Sequence, residues 1–295
     1  MKFKSFISKG LILSLSLGVI LTSFPGVPVF ADSFKSVTLG ADLNGAQKEE
    51  MLKYFEVTKN DANILEVTSK EEHIYLGKVA TESQIGNKAI SCSYVEPTEK
   101  GGLKVTTNNL TWVNDGMIKN ALITAGIENA NVKASAPFKV SGTAALTGIL
   151  KGFENSSSGK KIDENKKEAA NEELVTTGDI AEKIGQNDAT NLMNDIKKDV
   201  IKEKPKTDTE IKKIVDKATE QYKTKLSDED IANIKDVMSK INSLDLNYNN
   251  LKDQLNDVTN QLKGKLNSAE AKGFFAKLQE MFSNLLDSIK SAFQK

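Results

Sequence analysis

Arginine is missing altogether from the 295 residues, so every fixed positive charge is a lysine. Without the forked guanidinium that reads phosphate and guanine, nucleic acid is not an expected partner. The chain holds one Cys, Cys92, and one His, His73. No internal disulfide can form, and one thiol with one imidazole cannot complete a tetrahedral zinc site without carboxylates. Beyond residue 31 there is no G-x-S-x-G elbow, no P-loop and no G-x-G-x-x-G turn. No catalytic, cofactor or metal residues are therefore nominated.

The amino terminus is the most directional feature. Lys2, Lys4 and Lys9 precede an uncharged, mostly apolar run from Leu11 to Phe24. Val29-Phe30-Ala31 then offers small side chains three and one before a cut ahead of Asp32. A membrane helix needs about 20 apolar residues, and Pro25 and Pro28 interrupt this run. Residues 1–31 are expected to be a signal peptide, with an uncleaved anchor as the alternative. No Cys follows the run, which excludes a lipid-anchored form. The expected location is extracellular, in association with the cell envelope. Loss of Lys2, Lys4 and Lys9 leaves a net charge of −3, which implies no electrostatic partner.

Composition changes near residue 155. Before it lie β-branched runs punctuated by turns; after it lie Lys, Glu, Asp, Asn and Leu at helical spacing. The expected fold class is α+β: a mixed-sheet α/β domain over 32–154, a linker over 155–161 and an α-helical bundle region over 162–295. Strands are expected over 34–43, 64–68, 89–96 and 103–112, with a last strand through Val132, Ala134 and Ala136. Asn44 and Gln47 open a short helix, Ser69 and Glu72 read as a capping box, and Asn114 and Ser141 cap two further helices. Gly101-Gly102 suggests a hairpin between the third and fourth strands, with a bulge near Asn108-Asn109. Asp61-Ala62-Asn63-Ile64 resembles Asn129-Ala130-Asn131-Val132, which raises an internal duplication. Further helices are expected over 162–175, 178–185, 188–204, 208–225, 228–243, 246–266 and 268–293, with Pro205 and Ser227 marking two of the boundaries.

Four stretches carry a resemblance: Val37 to Leu43, Asn120 to Gly126, Ala136 to Gly148, and Asn171 to Gly178. Together they resemble the YpuA-like proteins, a secreted family of unknown function in Gram-positive bacteria. The resemblance covers nearly all of the chain after the signal. It implies secretion and the same layout, and it brings no catalytic residue. The family's usual pattern has Ser at the position of Cys92, which speaks against a thiol role.

Each chemical candidate has a plain reading beside it. Cys92 alternates with Ile90 and Tyr94, as a packed strand residue would, while His73 sits among Lys70, Glu71 and Glu72 on what reads as a solvated face. Asp245 to Asn250 partly imitates a calcium loop, but Asn250 stands where Gly is needed and Asn256 where a bidentate Glu is needed. The plain reading is a turn that caps the next helix. The small residues after Ser141 suit close packing on a sheet better than anion binding. At the carboxyl end, Phe274, Phe275, Leu278, Phe282, Leu285, Leu286, Ile289 and Phe293 form a broad apolar stripe, the one candidate interaction face. Packing into the bundle is the first reading of that stripe; a membrane surface or a partner is the other.

The expected function is that of a non-enzymatic binding protein of the cell envelope, holding an envelope or extracellular macromolecule. Two alternatives stay open: a carboxylate-dependent hydrolase of wall polymer or peptide, and a membrane-surface protein using the last helix.

Overall fold

The computed structural model describes residues 35–222 and 224–265. The expected signal (1–31) and the apolar stripe from Phe274 to Phe293 lie outside the described residues.

The fold is α+β. Strand β1 (Ser36–Gly40) is buried along its whole length, as a strand covered on both faces must be. Helix α1 (Gly45–Tyr54) starts at Asn44, whose side chain accepts the Gln47 N–H while Gln47 returns the bond. Strand β2 (Asn63–Val67) leads into α2 (Ser69–Leu76). There the capping box is Thr68 with Glu71, one residue earlier than the sequence suggests. Thr68 is the last extended residue, so the third helical position falls on Glu71, and Glu72 turns inward instead of bonding the cap. The first half is completed by α3 (Glu82–Ile85), β3 (Cys92–Pro97), β4 (Leu103–Leu110), α4 (Asp115–Thr124), β5 (Ala130–Val140) and α5 (Thr143–Glu154). Asn114 caps α4 as expected, but α5 is entered through Gly142 at φ 99° with no side-chain cap, not through Ser141.

The five strands lie in the order β2-β1-β3-β5-β4. β1 pairs with β2, and β4 with β5, in parallel; β3 is antiparallel to both β1 and β5. The expected β3–β4 hairpin does not form. Gly101 and Gly102 do turn with positive φ, but β5 takes the place beside β3, from Cys92 opposite Ser135 to Pro97 opposite Ala130. The expected bulge is present: the register shifts between Asn108 and Leu110, and Asn109 has φ 58°.

Two parallel pairs joined by helices invite the duplication idea, and Asn63 and Ala130 do open the second strand of each pair. Yet α1 packs with Val37, Leu39, Cys92 and Tyr94 on one face, whereas α4 packs with Val95, Val105 and Val132 on the other. Both crossovers step the same way across the sheet between strands of the same direction. With helices on opposite faces they have opposite hands. A simple duplication would give both the usual right hand.

The second half is helical. Helix α6 (Glu164–Ile184) is continuous where two helices are expected. The break expected at 176–177 is absent, and Gly178 lies within the helix, where the missing side chain makes room for Trp112: a Cβ there would lie 2.1 Å from Trp112 Cζ2. Next come α7 (Gln186–Glu203), α8 (Asp208–Thr219) with a short turn Glu220–Tyr222, α9 (Asp228–Ser243) and α10 (Tyr248–Lys265). Ser227 and Asp230 box the start of α9, and Asn247 caps α10 by accepting the Asn249 N–H, the plain reading of the calcium-like loop. One apolar cluster includes Val95 and Val132 of the sheet, Leu122 of α4, Leu174 of α6, Ile196 of α7 and Leu255 of α10, all buried. It runs across the 155–161 joint, where Ile162 N–H is held by Glu154 and Asn155 O by the Asn63 side chain.

Candidate functional site

Helix α5 is apolar for most of its length and lies flat on the sheet. Gly148 and Gly152 allow this, since a Cβ on Gly148 would stand 3.0 Å from Ser93 Oγ and one on Gly152 3.3 Å from Thr38 Oγ1. Away from the sheet the helix carries Thr147, Leu150, Lys151 and Glu154, spaced by three and four residues and so aligned on one face. Glu71 and Tyr75, one turn apart on α2, and Lys167 near the start of α6 approach that face. These seven residues line a cavity of about 180 Å³.

The cavity has an outer and an inner ion pair. At the mouth, Lys151 Nζ lies 2.5 Å from Glu71 Oε1, both about one-third exposed. Inside, Lys167 Nζ lies 3.0 Å from Glu154 Oε1, at 5% and 9% exposure. Lys167 also reaches Glu164 at 2.8 Å and stands 5.9 Å from the centroid of the Tyr75 ring. Burial works to raise the Glu71 carboxyl, but Lys151 and the Thr68 donors outweigh it and hold it below the ordinary range. Burial likewise works to lower the Lys167 ammonium, and Glu164 and Glu154 outweigh it and raise it. Both groups are thus fixed in their charged forms. Against the wall, the Thr147 hydroxyl is buried and has no hydrogen-bond partner.

Glu72, adjacent in sequence to Glu71, faces elsewhere. It is 1% exposed, and neither carboxyl oxygen has a partner. Burial pushes it up to about 7; Thr143 stands near enough to oppose the rise without making a hydrogen bond of normal geometry. Asp199 on α7 is also pushed up to about 7, by burial first and then by Glu203 and Asp195.

A second polar constellation is closed. Lys197 on α7 and Glu173 on α6 are 2.8 Å apart, at 0% and 1% exposure. Lys197 also donates to Asn120 O at 2.8 Å, and the Thr124 hydroxyl donates to Glu173 Oε2 at 2.5 Å. Asn120, Thr124 and Glu173 come from two of the stretches that carry the family resemblance, so those stretches meet in one buried clamp.

The single thiol and the single imidazole are engaged separately. Cys92 is 1% exposed among Val37, Leu39 and Tyr94, as its strand pattern suggests; burial raises its thiol to about 11. His73 Nδ1 bonds the Ser69 carbonyl at 2.7 Å and Nε2 meets Glu82 at 3.1 Å, so the residue is paired rather than isolated. No three-residue grouping of His, Cys, Asp or Glu is placed to hold a metal ion among the described residues.

Sequence reasoning passed over the cavity. Its lining spans Glu71 to Lys167, on three elements, and only the polar face of an otherwise apolar α5 pointed toward it.

No solved structure matches this chain. It is similar to the uncharacterized protein YpuA of Bacillus subtilis (strain 168), with 38% identity over 285 residues, covering 95% of this chain and 97% of that protein. A family model described as "Protein of unknown function (DUF1002)" matches residues 39–258, the span that holds all of the sheet but the start of β1, together with the cavity and the buried clamp. The chain belongs to the DUF1002 family.

Proposed function

We propose that the protein is exported, loses residues 1–31, and works at the cell envelope as a non-enzymatic binding protein that admits a small polar group between α2, α5 and α6. The observation that carries this reading is the cavity itself: four charged groups held in two opposed pairs between three helices. Such a lining orients a polar ligand. Its groups are poorly suited to general acid–base work, because Glu71 and Lys167 are shifted away from neutrality and not toward it. The nearby carboxyl that is poised near neutrality, Glu72, has both oxygens sealed from solvent. That supports binding over hydrolysis. The absence of arginine and the near-neutral charge balance favour a partner other than nucleic acid.

Two measurements test the proposal. Amino-terminal sequencing of protein recovered from the medium and the wall should begin at Asp32; a detergent-extracted protein that retains Leu11 to Phe24 would contradict export with cleavage. Envelope material retained by the wild type should be lost by Lys151→Met. Retention unaffected by that change would place binding elsewhere.

A further inference from the structure

We infer that residues 68–88, which carry α2 and α3, form a flap that closes on α5 and α6 in acid and is released as pH rises through neutrality. The motion stands apart from the binding reading. Its consequence rests on that reading: the flap brings Glu71 and Tyr75 to the cavity, so release removes one wall.

Both ends of the segment are tied to the same short stretch after β1. Val67, the last residue of β2, lies opposite Gly40 and accepts the Ala41 N–H at 2.9 Å. Ala89 accepts the Asp42 N–H at 3.2 Å and donates its own N–H to Asp42 Oδ2 at 2.8 Å. Residues between these ties belong to no strand, so they can swing away without breaking a sheet pairing. Little holds them down. α2 has eight residues and α3 four, too few to persist alone. Leu76 and Ile85 meet Val175 of α6 in a small cluster separate from the main core. The Gln84 side chain donates to Asp179 of α6, and Glu71 pairs with Lys151 of α5. So few buried apolar contacts mark a segment that opens without global unfolding.

Two groups on the flap make closure depend on protons. Glu72 is sealed against α5 with neither oxygen bonded, so an anion there has neither solvent nor donor. From α5 the Thr143 hydroxyl stands near it. Lys151 of α5 is engaged with Glu71 and the Glu66 carbonyl, and Lys167 of α6 with Glu154 and Glu164. Among the described residues, the charge that acts on Glu72 is that of His73, beside it in sequence. His73 in turn ties the two helices together, from Ser69 O through its ring to Glu82 of α3.

Both groups act in one direction. Burial holds the proton on Glu72 up to about 7 in the closed flap, against 4.5 once released. Opening therefore becomes about tenfold easier per pH unit between those values. The closed flap also favours the His73 imidazolium, through the Ser69 carbonyl first and then Glu82. That support is lost as pH rises above 6.5 and through the folded value. Asp179, raised by burial, adds to the slope from the α6 side. Glu71 is lowered and stays ionised above 4.5, so its pair with Lys151 is a constant restraint.

Hydrogen exchange of the chain from Asp32 onward, read by mass spectrometry from pH 5 to 8, tests the flap. Protection factors, which remove the intrinsic pH dependence of exchange, are compared between α2–α3 and α4. At pH 7 the flap should be at least tenfold less protected than α4, and its protection should fall at least tenfold from pH 5 to 7. Glu72→Gln and Glu72→Met should each remove most of that fall. Methionine needs no partner in a sealed place, so it separates lost charge from an ill-fitting amide. His73→Gln should lower flap protection at pH 5 and change it little at pH 8. Flap protection equal to that of α4 at every pH would show that the segment opens only with the whole chain, and would overturn the inference. So would protection that stays level or rises from pH 5 to 7, or a fall that survives both Glu72 variants. A flap that opens as expected, with envelope retention indifferent to Lys151→Met, would uphold the flap and overturn the binding reading.

Discussion

Lys167 with Glu154 and Lys197 with Glu173 are the same pair of residue types, each with one member on α6, and the fold treats them in opposite ways. The first lines a cavity and shares its lysine with a third group, Glu164. The second is sealed between α6 and α7 with Asn120 and Thr124. The proton affinities diverge accordingly. Burial is opposed and overcome at Lys167, whose ammonium is stabilised. At Lys197 burial dominates over Glu173 and the ammonium is lowered. Access to water therefore separates a pair that can meet a ligand from one that serves only to lock helices together.

Removing one lysine from each pair tests that contrast most severely. Lys197→Ala leaves the Glu173 carboxylate alone in a dry interior and should cost about 3–5 kcal/mol. Lys167→Ala leaves Glu154 beside water and the Ile162 N–H, for about 1.5 kcal/mol. Denaturant unfolding measures both. The double change Lys197→Met with Glu173→Leu should recover most of the loss, since shape without charge suits a sealed site. Equal costs for the two alanine variants would erase the distinction.

A second contrast sets Glu72 against Glu71. Glu72 has a folded value of about 7, above its ordinary 4.5. Between those values the folded chain keeps a proton that the unfolded chain releases. Stability is therefore highest below about pH 4.5 as far as this group is concerned, and falls as pH rises through 7, by up to about 3 kcal/mol. Glu71 is lowered and works in the opposite direction: its contribution is present above 4.5 and lost as pH falls through its folded value. Melting from pH 5 to 8 should show a decline that Glu72→Gln reduces, and that Asp199→Asn on α7 reduces by a similar amount, with the double change flattening most of it. A flat profile in the wild type would show that Glu72 is not held apart from water.

The smallest effect concerns Cys92. As a packed group beside Tyr94 and Val37 it should label slowly with maleimide in the native state. Cys92→Ala should cost roughly 1 kcal/mol or less. Rapid labelling of the folded protein would move Cys92 from the core to an accessible place.

Local chemistry was legible in the sequence and distant pairing was not. Asn44 with Gln47, Asn114, Ser227 with Asp230 and the bulge at Asn109 are all short-range devices, and each is present. The α2 cap was misplaced by one residue because Thr68 and Ser69 are chemically equivalent starts; only the strand before them decides which is extended. That single step carries Glu72 from surface to interior. The hairpin failed for another reason: a glycine turn says the chain reverses, not that β5 will occupy the vacant edge of β3. A break was expected at 176–177, just before Gly178, because the side chain that explains a mid-helix glycine, Trp112, is far away in sequence. The cavity shares this difficulty, with Lys167 sixteen residues beyond Lys151 and Glu71 eighty before it.

Trp112 is the chain's one indole. It presses on Gly178, donates its Nε1–H to Glu182 at 3.2 Å, and has its carbonyl held by the Gln186 side chain at 3.1 Å. The protein thereby contains a single tryptophan fluorophore, which red-edge excitation separates from its five tyrosines, placed where the loop after β4 meets α6 and α7. Its selectively excited emission reports that one seam. Comparing it with far-ultraviolet circular dichroism shows whether sheet and bundle part before they melt or melt as one.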